Sequence, residues 1–234
     1  MPNAFYLEPD NLNGNSFSLD ESESHHASHV FRLQPGDPIA LLNGEGLGFQ
    51  GVIENNSNGI VSGTIQKKLE SLGENKSKII IAPSILKRDR FESLIEKATE
   101  LGVWQIHPIL TDRCVKRTIN LDRCKKIVMS AAKQCQRSYF PMVCQPTKLL
   151  AWLDKPDHRQ CFAGMMGTSK QLSDYQFDNK IPVSVLIGPE GDFSDNEIVQ
   201  MNKKRVKFFS LGSRRLRADT AAQASLSILN ELLT

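Results

Sequence analysis

The sequence predicts an α/β protein in which a small β-rich domain precedes a parallel sheet with flanking helices. Up to about residue 70, short apolar segments alternate with turn residues, a spacing typical of a small β-barrel. Beyond residue 77, continuous β-branched segments alternate with segments whose apolar residues recur at helical spacing, which indicates a mostly parallel sheet. We therefore expect a barrel domain at 1–70, a polar linker at 71–77 and an α/β domain at 78–234.

Four short segments of the N-terminal region are predicted strands: AFYL at 4–7, DPIALLN at 37–43, GFQGVIE at 48–54 and GIVSGTIQ at 59–66. Turn-forming residues lie around and between them, namely Pro-Gly-Asp, Gly-Glu-Gly and Asn-Asn-Ser-Asn-Gly. The segment HHASH at 25–29 is predicted to be a helical turn near the barrel edge.

The C-terminal region alternates strands and helices. The predicted strands are KIIIAPSI at 78–85, WQIHPIL at 104–110, CFAGMM at 161–166, PVSVLIG at 182–188 and VKFFSLG at 206–212. Apolar residues at helical spacing predict helices near 91–101, 127–135 and 219–233. Ser194 and Glu197 form an S-x-x-E pattern, which predicts a capping box at the start of a further helix.

Charge is distributed unevenly along the chain. Residues 1–75 carry a net charge of −7, whereas the remainder carries +10. The segments 113–137 and 203–217 are strongly basic, and this pattern favours a polyanionic partner. A solvated basic surface without such a partner is the alternative that charge alone leaves open.

Composition excludes several classes of protein. No run of 18 apolar residues is present, so we expect no membrane span, and the N-terminus lacks the pattern of a signal peptide. The five cysteines form no C-x-x-C pair, which favours reduced thiols in the cytoplasm and neither disulfides nor a metal site.

Three motifs that resemble known chemical sites are interpreted as structural. GEGLG at 44–48 precedes no helix, so we expect a hairpin turn and no dinucleotide fingerprint. In HHASH, His25 and His29 are spaced four residues apart as two metal ligands on a helix could be, but no third ligand and no H-E-x-x-H pattern accompany them. GMMG at 164–167 lacks the lysine of a phosphate-binding loop.

Two glycine-containing corners follow buried strands of the predicted sheet. Gly188, Pro189, Glu190 and Gly191 end one strand, and Gly212 ends another. Because ligands of open α/β sheets bind at the carboxyl ends of strands, these corners could build one pocket, although ordinary loop chemistry explains each corner alone. Three arginines then precede the last helix, whose N-terminus is already positive, so an anionic or electron-rich ligand is expected there.

These segments resemble the RsmE family of SPOUT-class RNA methyltransferases. G-P-E-G at 188–191 and L-G-x-R-x-L-R-x-D-T-A at 211–221 carry the resemblance most clearly. HHASHVFRLQPGD at 25–37, the segment 86–115 and SAAKQCQRSYFP at 130–141 extend it over most of the chain in the family's order. The resemblance implies an N-terminal PUA-like β-barrel, a C-terminal SPOUT α/β domain with a deep trefoil knot, and a homodimer.

The same resemblance implies the activity and the site. It implies transfer of a methyl group from S-adenosylmethionine to uridine N3 in 16S ribosomal RNA of the 30S subunit. The residues expected at the site fall into three groups. The expected catalytic residues are Arg217 and Glu190; the cofactor-binding residues are Gly188, Pro189, Gly191, Leu211, Gly212, Leu216 and Thr220; the RNA-binding residues are Arg32, Arg113, Arg137, Arg214 and Arg215.

Chemistry leaves two roles open at this stage. Loss of the N3 proton places negative charge on the uracil oxygens, which a fixed guanidinium at Arg217 would stabilise; alternatively, all three arginines bind phosphate. Glu190 or Glu100 could accept the proton, and each also has a structural role available. The acidic barrel is expected to bind RNA weakly by itself.

The sequence departs from the family pattern at three positions. Arg215 stands where an apolar residue is usual, Asp219 replaces glutamate, and Asp192 stands where a second glycine is common. The alternative functions are methylation of a ribose 2′-hydroxyl or a transfer RNA base, a non-catalytic RNA-binding assembly factor, and a small-molecule enzyme with a basic surface.

Overall fold

The computed structural model describes residues 4–57, 59–155 and 160–233. The chain divides into two compact units. Met1–Glu74 and Met129–Phe140 form the first unit, and Asn75–Val128 and Pro141–Thr234 form the second. The predicted turn at 55–59 includes residue 58, and the predicted barrel includes residues 1–3; these positions lie outside the described residues.

A six-stranded sheet is the framework of the first unit. Its strands are β1 Ala4–Tyr6, β2 Leu12–Asn13, β3 Ser16–Ser18, β4 Pro38–Leu42, β5 Leu47–Ser57 and β6 Ile60–Glu70. They are ordered β1-β4-β5-β6-β3-β2, so the described strands form an open sheet where the sequence predicted a barrel. The edge strands β1 and β2 have three and two residues, and such short strands offer few backbone groups for closure.

Alternating side chains from these strands form the core of the first unit. Phe5, Phe17, Ile39, Leu41 and Phe49 pack in one buried cluster, as period-two patterning predicts. A helix, α1 Glu21–His25, follows β3 and continues into a π-helical turn at His26–Val30. HHASH is therefore helical, as the sequence predicted.

The segment 71–77, predicted to be a linker, is partly integrated into the first unit. The buried Arg137 guanidinium is 2% exposed, and its Nη2 donates to the Glu74 carboxylate at 2.7 Å. The same carboxylate accepts from the Tyr139 N–H at 2.9 Å. An arginine enclosed in this way has little surface to offer a phosphate, so the geometry does not support the predicted RNA contact of Arg137, which forms a buried ion pair.

The second unit contains a parallel sheet. Its strands are β7 Ile79–Pro83, β8 Gln105–Ile106, β9 Ile109–Leu110, β10 Met142–Val143, β11 Thr147–Lys148, β12 Gln160–Gly164, β13 Val183–Ile187 and β14 Lys207–Phe209. Six of them are ordered β10-β8-β7-β13-β12-β14 with every neighbouring pair parallel, and β9 pairs with β11. The parallel sheet confirms the α/β prediction.

The predicted single strand at 104–110 is two short strands in different sheets. His107 and Pro108 separate β8 from β9. Proline has no N–H to donate to a strand ladder, which favours an interruption at this point. Apolar alternation alone did not show where the ladder ends.

The helices lie at α2 Arg88–Glu100, α3 Leu121–Cys135, α4 Leu149–Leu153, α5 Asp195–Lys203 and α6 Ala218–Leu232. Helix α6 contacts α2 and the strands β7 and β13, so it lies against the middle of the sheet. Its buried residues Ala222, Leu226 and Leu229 follow the predicted helical spacing. None of the helices in the described ranges is long and apolar enough to span a membrane.

Candidate active site

A pocket of about 550 Å³ lies at the carboxyl ends of three adjacent strands. Its walls are the segments after β12, β13 and β14 together with the start of α6. Parallel strands present their carboxyl ends at one edge, so these segments converge although they are distant in the sequence. A pocket of this volume falls in the range of small-molecule and cofactor sites.

The pocket brings together most of the residues that the sequence singled out. Nine of them line it: Gly188, Pro189, Glu190, Leu211, Gly212, Arg214, Arg215, Leu216 and Arg217. Gly191 and Thr220, also predicted to bind the cofactor, are not among its lining residues. Arg32 and Arg113 do not line it either.

The segment Gly188–Phe193, which we call the glycine loop, forms one wall of the pocket. A Cβ atom at Gly188 would lie 3.2 Å from the Phe193 ring, so this position favours glycine. Asp192 adopts a φ of 64°, the left-handed region in which glycine carries no steric cost. The Asp192 side chain accepts a hydrogen bond from the Phe193 N–H at 2.8 Å, a local bond that helps aspartate adopt this conformation.

Three arginines hold the glycine loop from outside its own sequence. Arg113 donates to the carbonyls of Gly191 at 2.8 Å and Phe193 at 3.2 Å. Arg215 donates to the Glu190 carbonyl at 2.9 Å. The Glu190 carboxylate lies 3.5 Å from Arg90 Nη1, and its side chain is 44% exposed.

The other proposed base, Glu100, lies at the end of α2 and does not line the pocket. Its carboxylate accepts a hydrogen bond from the Lys97 ammonium at 2.8 Å. That bond, together with the bond from Lys97 to Glu96, raises the pKa of Lys97 above its usual value. Glu100 is therefore part of a surface ion pair, and Glu190 is the carboxylate at the pocket.

Helix α6 begins at the pocket with unpaired donors. Arg217 is its N-cap residue, and the cap position carries no side-chain hydrogen bond. In the described part of the chain, the N–H groups of Ala218 and of Leu211 and Leu216 donate to no acceptor. A bound ligand can accept hydrogen bonds from such N–H groups at little cost in free energy, because no hydrogen bond within the protein has to break first.

Arg217 and Arg214 remain available to a ligand. Both are exposed residues of the pocket lining. Neither guanidinium makes an ion pair or hydrogen bond within the residues that the structure describes. The third arginine of the cluster, Arg215, is the one that contacts the glycine loop.

Sequence reasoning missed the third wall of the pocket. Gly164, the last residue of β12, lines the pocket beside the two predicted corners, together with Met165 and Met166, which follow the strand. The sequence excludes the motif GMMG as a phosphate-binding loop. That exclusion says nothing about whether the motif lies at the end of a strand and lines a pocket. Its position directly after a predicted buried strand was the signal that could have identified it.

Other predicted features lie away from the pocket. Arg32 is exposed in the first unit and adopts a φ of 55°. The His25 and His29 rings stack with centroids 4.5 Å apart. Groups of three residues able to hold a metal ion do not occur among the residues described.

A capping box fixes the helix that follows the glycine loop. Ser194 Oγ accepts from the Glu197 N–H, and the Glu197 carboxylate accepts from the Ser194 N–H at 2.8 Å, as the S-x-x-E pattern predicted. The Glu197 carboxylate also accepts from the Asp112 N–H at 2.9 Å. The end of the glycine loop is thereby joined to the segment after β9.

Replacing Ser194 with alanine is expected to lower the free energy of unfolding by about 1 kcal/mol, since the N-cap acceptor is lost. Urea unfolding of the purified protein measures the change. Ser194→Thr should retain most of the stability, and Ser173→Ala, at an exposed serine, should have little effect. Equal stability of Ser194→Ala and the unaltered protein would contradict a stabilising role for the cap.

Two family models match the chain. The model described as RNA methyltransferase domain matches residues 73–230. The model described as RNA methyltransferase PUA domain matches residues 19–65. The two matches fall on parts of both structural units.

Two proteins that are similar over most of this chain share one name. Ribosomal RNA small subunit methyltransferase E of Synechocystis sp. is 32% identical over 97% of this chain and 77% of its own length. The same enzyme of Bacillus subtilis is 28% identical over 92% of this chain and 90% of its own length.

Two solved structures show the same arrangement of elements. Ribosomal RNA small subunit methyltransferase E from Neisseria gonorrhoeae, bound to S-adenosyl methionine, has a TM-score of 0.90 at 26% identity and covers 99% of this chain and 98% of that one. A methyltransferase from Legionella pneumophila, in complex with the same cofactor, has a TM-score of 0.87 at 30% identity with the same coverage.

Proposed function

Because the chain belongs to the family of ribosomal RNA small subunit methyltransferase E, we propose that it methylates N3 of a uridine in 16S ribosomal RNA of the 30S subunit. It is an RNA methyltransferase that uses S-adenosylmethionine, with an N-terminal PUA-like domain and a C-terminal SPOUT domain. The observation that carries the proposal is the pocket at the strand ends, with the unpaired Arg217 at its margin.

The residues at the pocket fit S-adenosylmethionine. The cofactor has an adenine, a ribose and an amino-acid group, and the unpaired N–H groups of Leu211, Leu216 and Ala218 are suitable donors for such polar atoms. The glycine corners allow close approach of a ligand to the backbone, and Met165 and Met166 provide an apolar wall. When bound, the cofactor supplies a methyl group activated by the positive sulfur.

Arg217 is proposed to stabilise the uracil anion. Removal of the N3 proton spreads negative charge over O2 and O4, and a guanidinium offers fixed, planar donors to those oxygens. The unpaired N-terminal donors of α6 add a positive potential at the same point. This role explains why the chain places the Arg217 guanidinium, which has no partner among the described residues, at a helix N-terminus that already has a positive potential.

Glu190 is proposed as the proton acceptor. Its carboxylate is at the pocket and partly exposed, whereas Glu100 is paired with Lys97 away from it. The Arg90 guanidinium lies 3.5 Å from the Glu190 carboxylate. Holding the methyl donor and acceptor in line supplies the remaining acceleration.

RNA binding is proposed to depend on Arg214 together with the exposed Arg32. Replacing Arg214 with alanine is expected to weaken RNA binding at all sequences and to reduce the slope of log affinity against log salt by about 1. Titrations of a 16S RNA fragment at several salt concentrations measure the slope. Lys180→Ala, at an exposed lysine of the second unit, is the control. An unchanged slope would show that Arg214 contacts no phosphate.

The topology of the second unit supports a trefoil knot. Strand β14 lies at the sheet edge beyond β12, and α6 then returns to β7 and β13 at the centre. The segment 210–217 that makes this return passes beside the glycine loop, where Arg215 contacts Glu190. We propose that this segment threads the knot, that the protein is a homodimer, and that it acts in the cytoplasm, where its ribosomal substrate is assembled.

Methylation of purified 30S particles tests the function. Particles from cells that lack this gene are incubated with the protein and S-adenosylmethionine, followed by reverse transcription and nucleoside mass spectrometry. We expect a new strong stop and 3-methyluridine, because a methyl group at N3 blocks the pairing edge. A methyl group on a ribose 2′-hydroxyl would favour the alternative enzyme, and no cofactor binding would favour an assembly factor.

A further inference from the structure

Two arginines predicted to bind RNA are instead bonded to the glycine loop. Arg113 follows β9 and Arg215 precedes α6, so the two approach the loop from separate parts of the chain. Between them they donate to the carbonyls of Glu190, Gly191 and Phe193 at 2.8 to 3.2 Å. The Pro189 carbonyl accepts from the Asp192 N–H at 2.9 Å.

These bonds determine the orientation of the loop's peptide planes. In a trans peptide the C=O and the next N–H point in opposite directions, so holding the Glu190 carbonyl also fixes the direction of the Gly191 N–H. That N–H has no acceptor among the residues that the structure describes. The Gly191 carbonyl and the Asp192 N–H are fixed in the same way by Arg113 and Pro189.

Packing reinforces the contact of Arg113 with the loop. The Arg113 side-chain carbons lie 3.4 to 4.0 Å from the position a Cβ atom of Gly191 would occupy. The neighbouring Asp112 accepts from Ser194 Oγ at 2.5 Å and donates its N–H to Glu197. The segment after β9 therefore holds the end of the loop at two successive residues.

From this geometry we propose that Arg113 and Arg215 are positioning residues that hold the glycine loop in the conformation that binds S-adenosylmethionine. They act through the loop carbonyls and do not belong to the RNA-binding surface. The inference rests on the proposed function only for the identity of the cofactor.

The test separates hydrogen bonding from charge. Arg113→Met and Arg215→Met remove both the donors and the charge, whereas Arg113→Gln and Arg215→Gln keep a neutral donor. S-adenosylmethionine binding is measured by calorimetry on the full-length protein without RNA. We expect the Met variants to bind S-adenosylmethionine about tenfold more weakly. The Gln variants should recover about half of the binding free energy that the Met variants lose.

Hydrogen exchange provides a readout independent of the cofactor. The hydrogen-bonded amides of Asp192, Phe193 and Ser194 in the cofactor-free protein should exchange several-fold faster in the Met variants, because the peptide planes of the loop are no longer held. The salt slope of RNA binding should stay the same in all four variants. Arg117→Gln, at an exposed arginine of the segment that carries Arg113, is the matched control and should resemble the unaltered protein in cofactor affinity and in hydrogen exchange.

Two results would overturn the proposal. One is unaltered cofactor affinity and unaltered exchange in both Met variants. The other is a salt slope reduced by about 1 in both the Met and Gln variants, which would return the two arginines to the RNA-binding surface. Neither result depends on which RNA is methylated, so failure of the 30S assay leaves this test intact.

Discussion

Replacing Arg217 with alanine is expected to lower kcat for RNA methylation by about 10²- to 10³-fold, the range observed when one donor to a developing oxyanion is removed. The guanidinium lines the pocket and has no partner in the described part of the chain, so its charge is available to the uracil oxygens. RNA affinity and cofactor affinity should each change by only about threefold, because this interaction forms mainly in the transition state.

Single-turnover methylation of 30S particles measures the rate, and filter binding measures RNA affinity. Arg214→Ala is the matched control, since Arg214 is also exposed, also lines the pocket and lies three residues away. That variant should weaken RNA binding and leave single-turnover methylation at saturating RNA close to normal. If Arg217→Ala lost RNA affinity and left the saturated rate intact, Arg217 would be a third phosphate contact.

Replacing Arg137 with methionine is expected to reduce the free energy of unfolding by about 3 to 5 kcal/mol, because removal of one partner leaves the other charge buried and uncompensated. The Glu74 side chain is 13% exposed, and of its hydrogen bonds described here its carboxylate would keep the one from the Tyr139 N–H. Urea unfolding, followed by a probe in the first unit, measures the loss. RNA binding by the folded fraction should not change.

Two comparisons make the stability result specific. Arg137→Met combined with Glu74→Leu should recover most of the stability, since apolar residues of similar volume often replace a buried ion pair without loss. Arg123→Met removes an arginine paired with Glu92 at the surface and should leave stability nearly unchanged. If Arg137→Met unfolded in urea at the same concentration as the unaltered protein and bound RNA more weakly, Arg137 would be an RNA contact, as the sequence predicted.

Local sequence patterns predicted the framework of the site. The continuous β-branched segments at 79–83 and 183–187 are parallel central strands, and Ser194 with Glu197 forms the predicted capping box. Such features depend on a few neighbouring residues, because periodicity and capping act within one or two turns of chain. The sequence also indicated that the glycine corners at 188 and 212 could build one pocket, because both follow predicted parallel strands, and both corners line the pocket.

Local patterns did not distinguish the roles of the arginines. Arg137 was grouped with a basic surface, yet its partner Glu74 lies 63 residues away and encloses it. Arg215 and Arg217 are two residues apart, but the Arg215 guanidinium donates to the Glu190 carbonyl, whereas the Arg217 guanidinium has no partner within the described ranges of the chain. Their different environments arise from the path of the chain around them.

The sequence by itself determined the parallel sheet, the strand-end corners, the cap of α5 and the family. Only the tertiary structure decided that Met165 and Met166 form the third wall of the pocket and that residues 129–140 belong to the first unit. The tertiary structure also decided which arginine side chains are hydrogen-bonded to backbone carbonyls or paired with carboxylates. The reason is physical: charge and periodicity are properties of a segment, whereas burial and pairing depend on residues that only folding brings together.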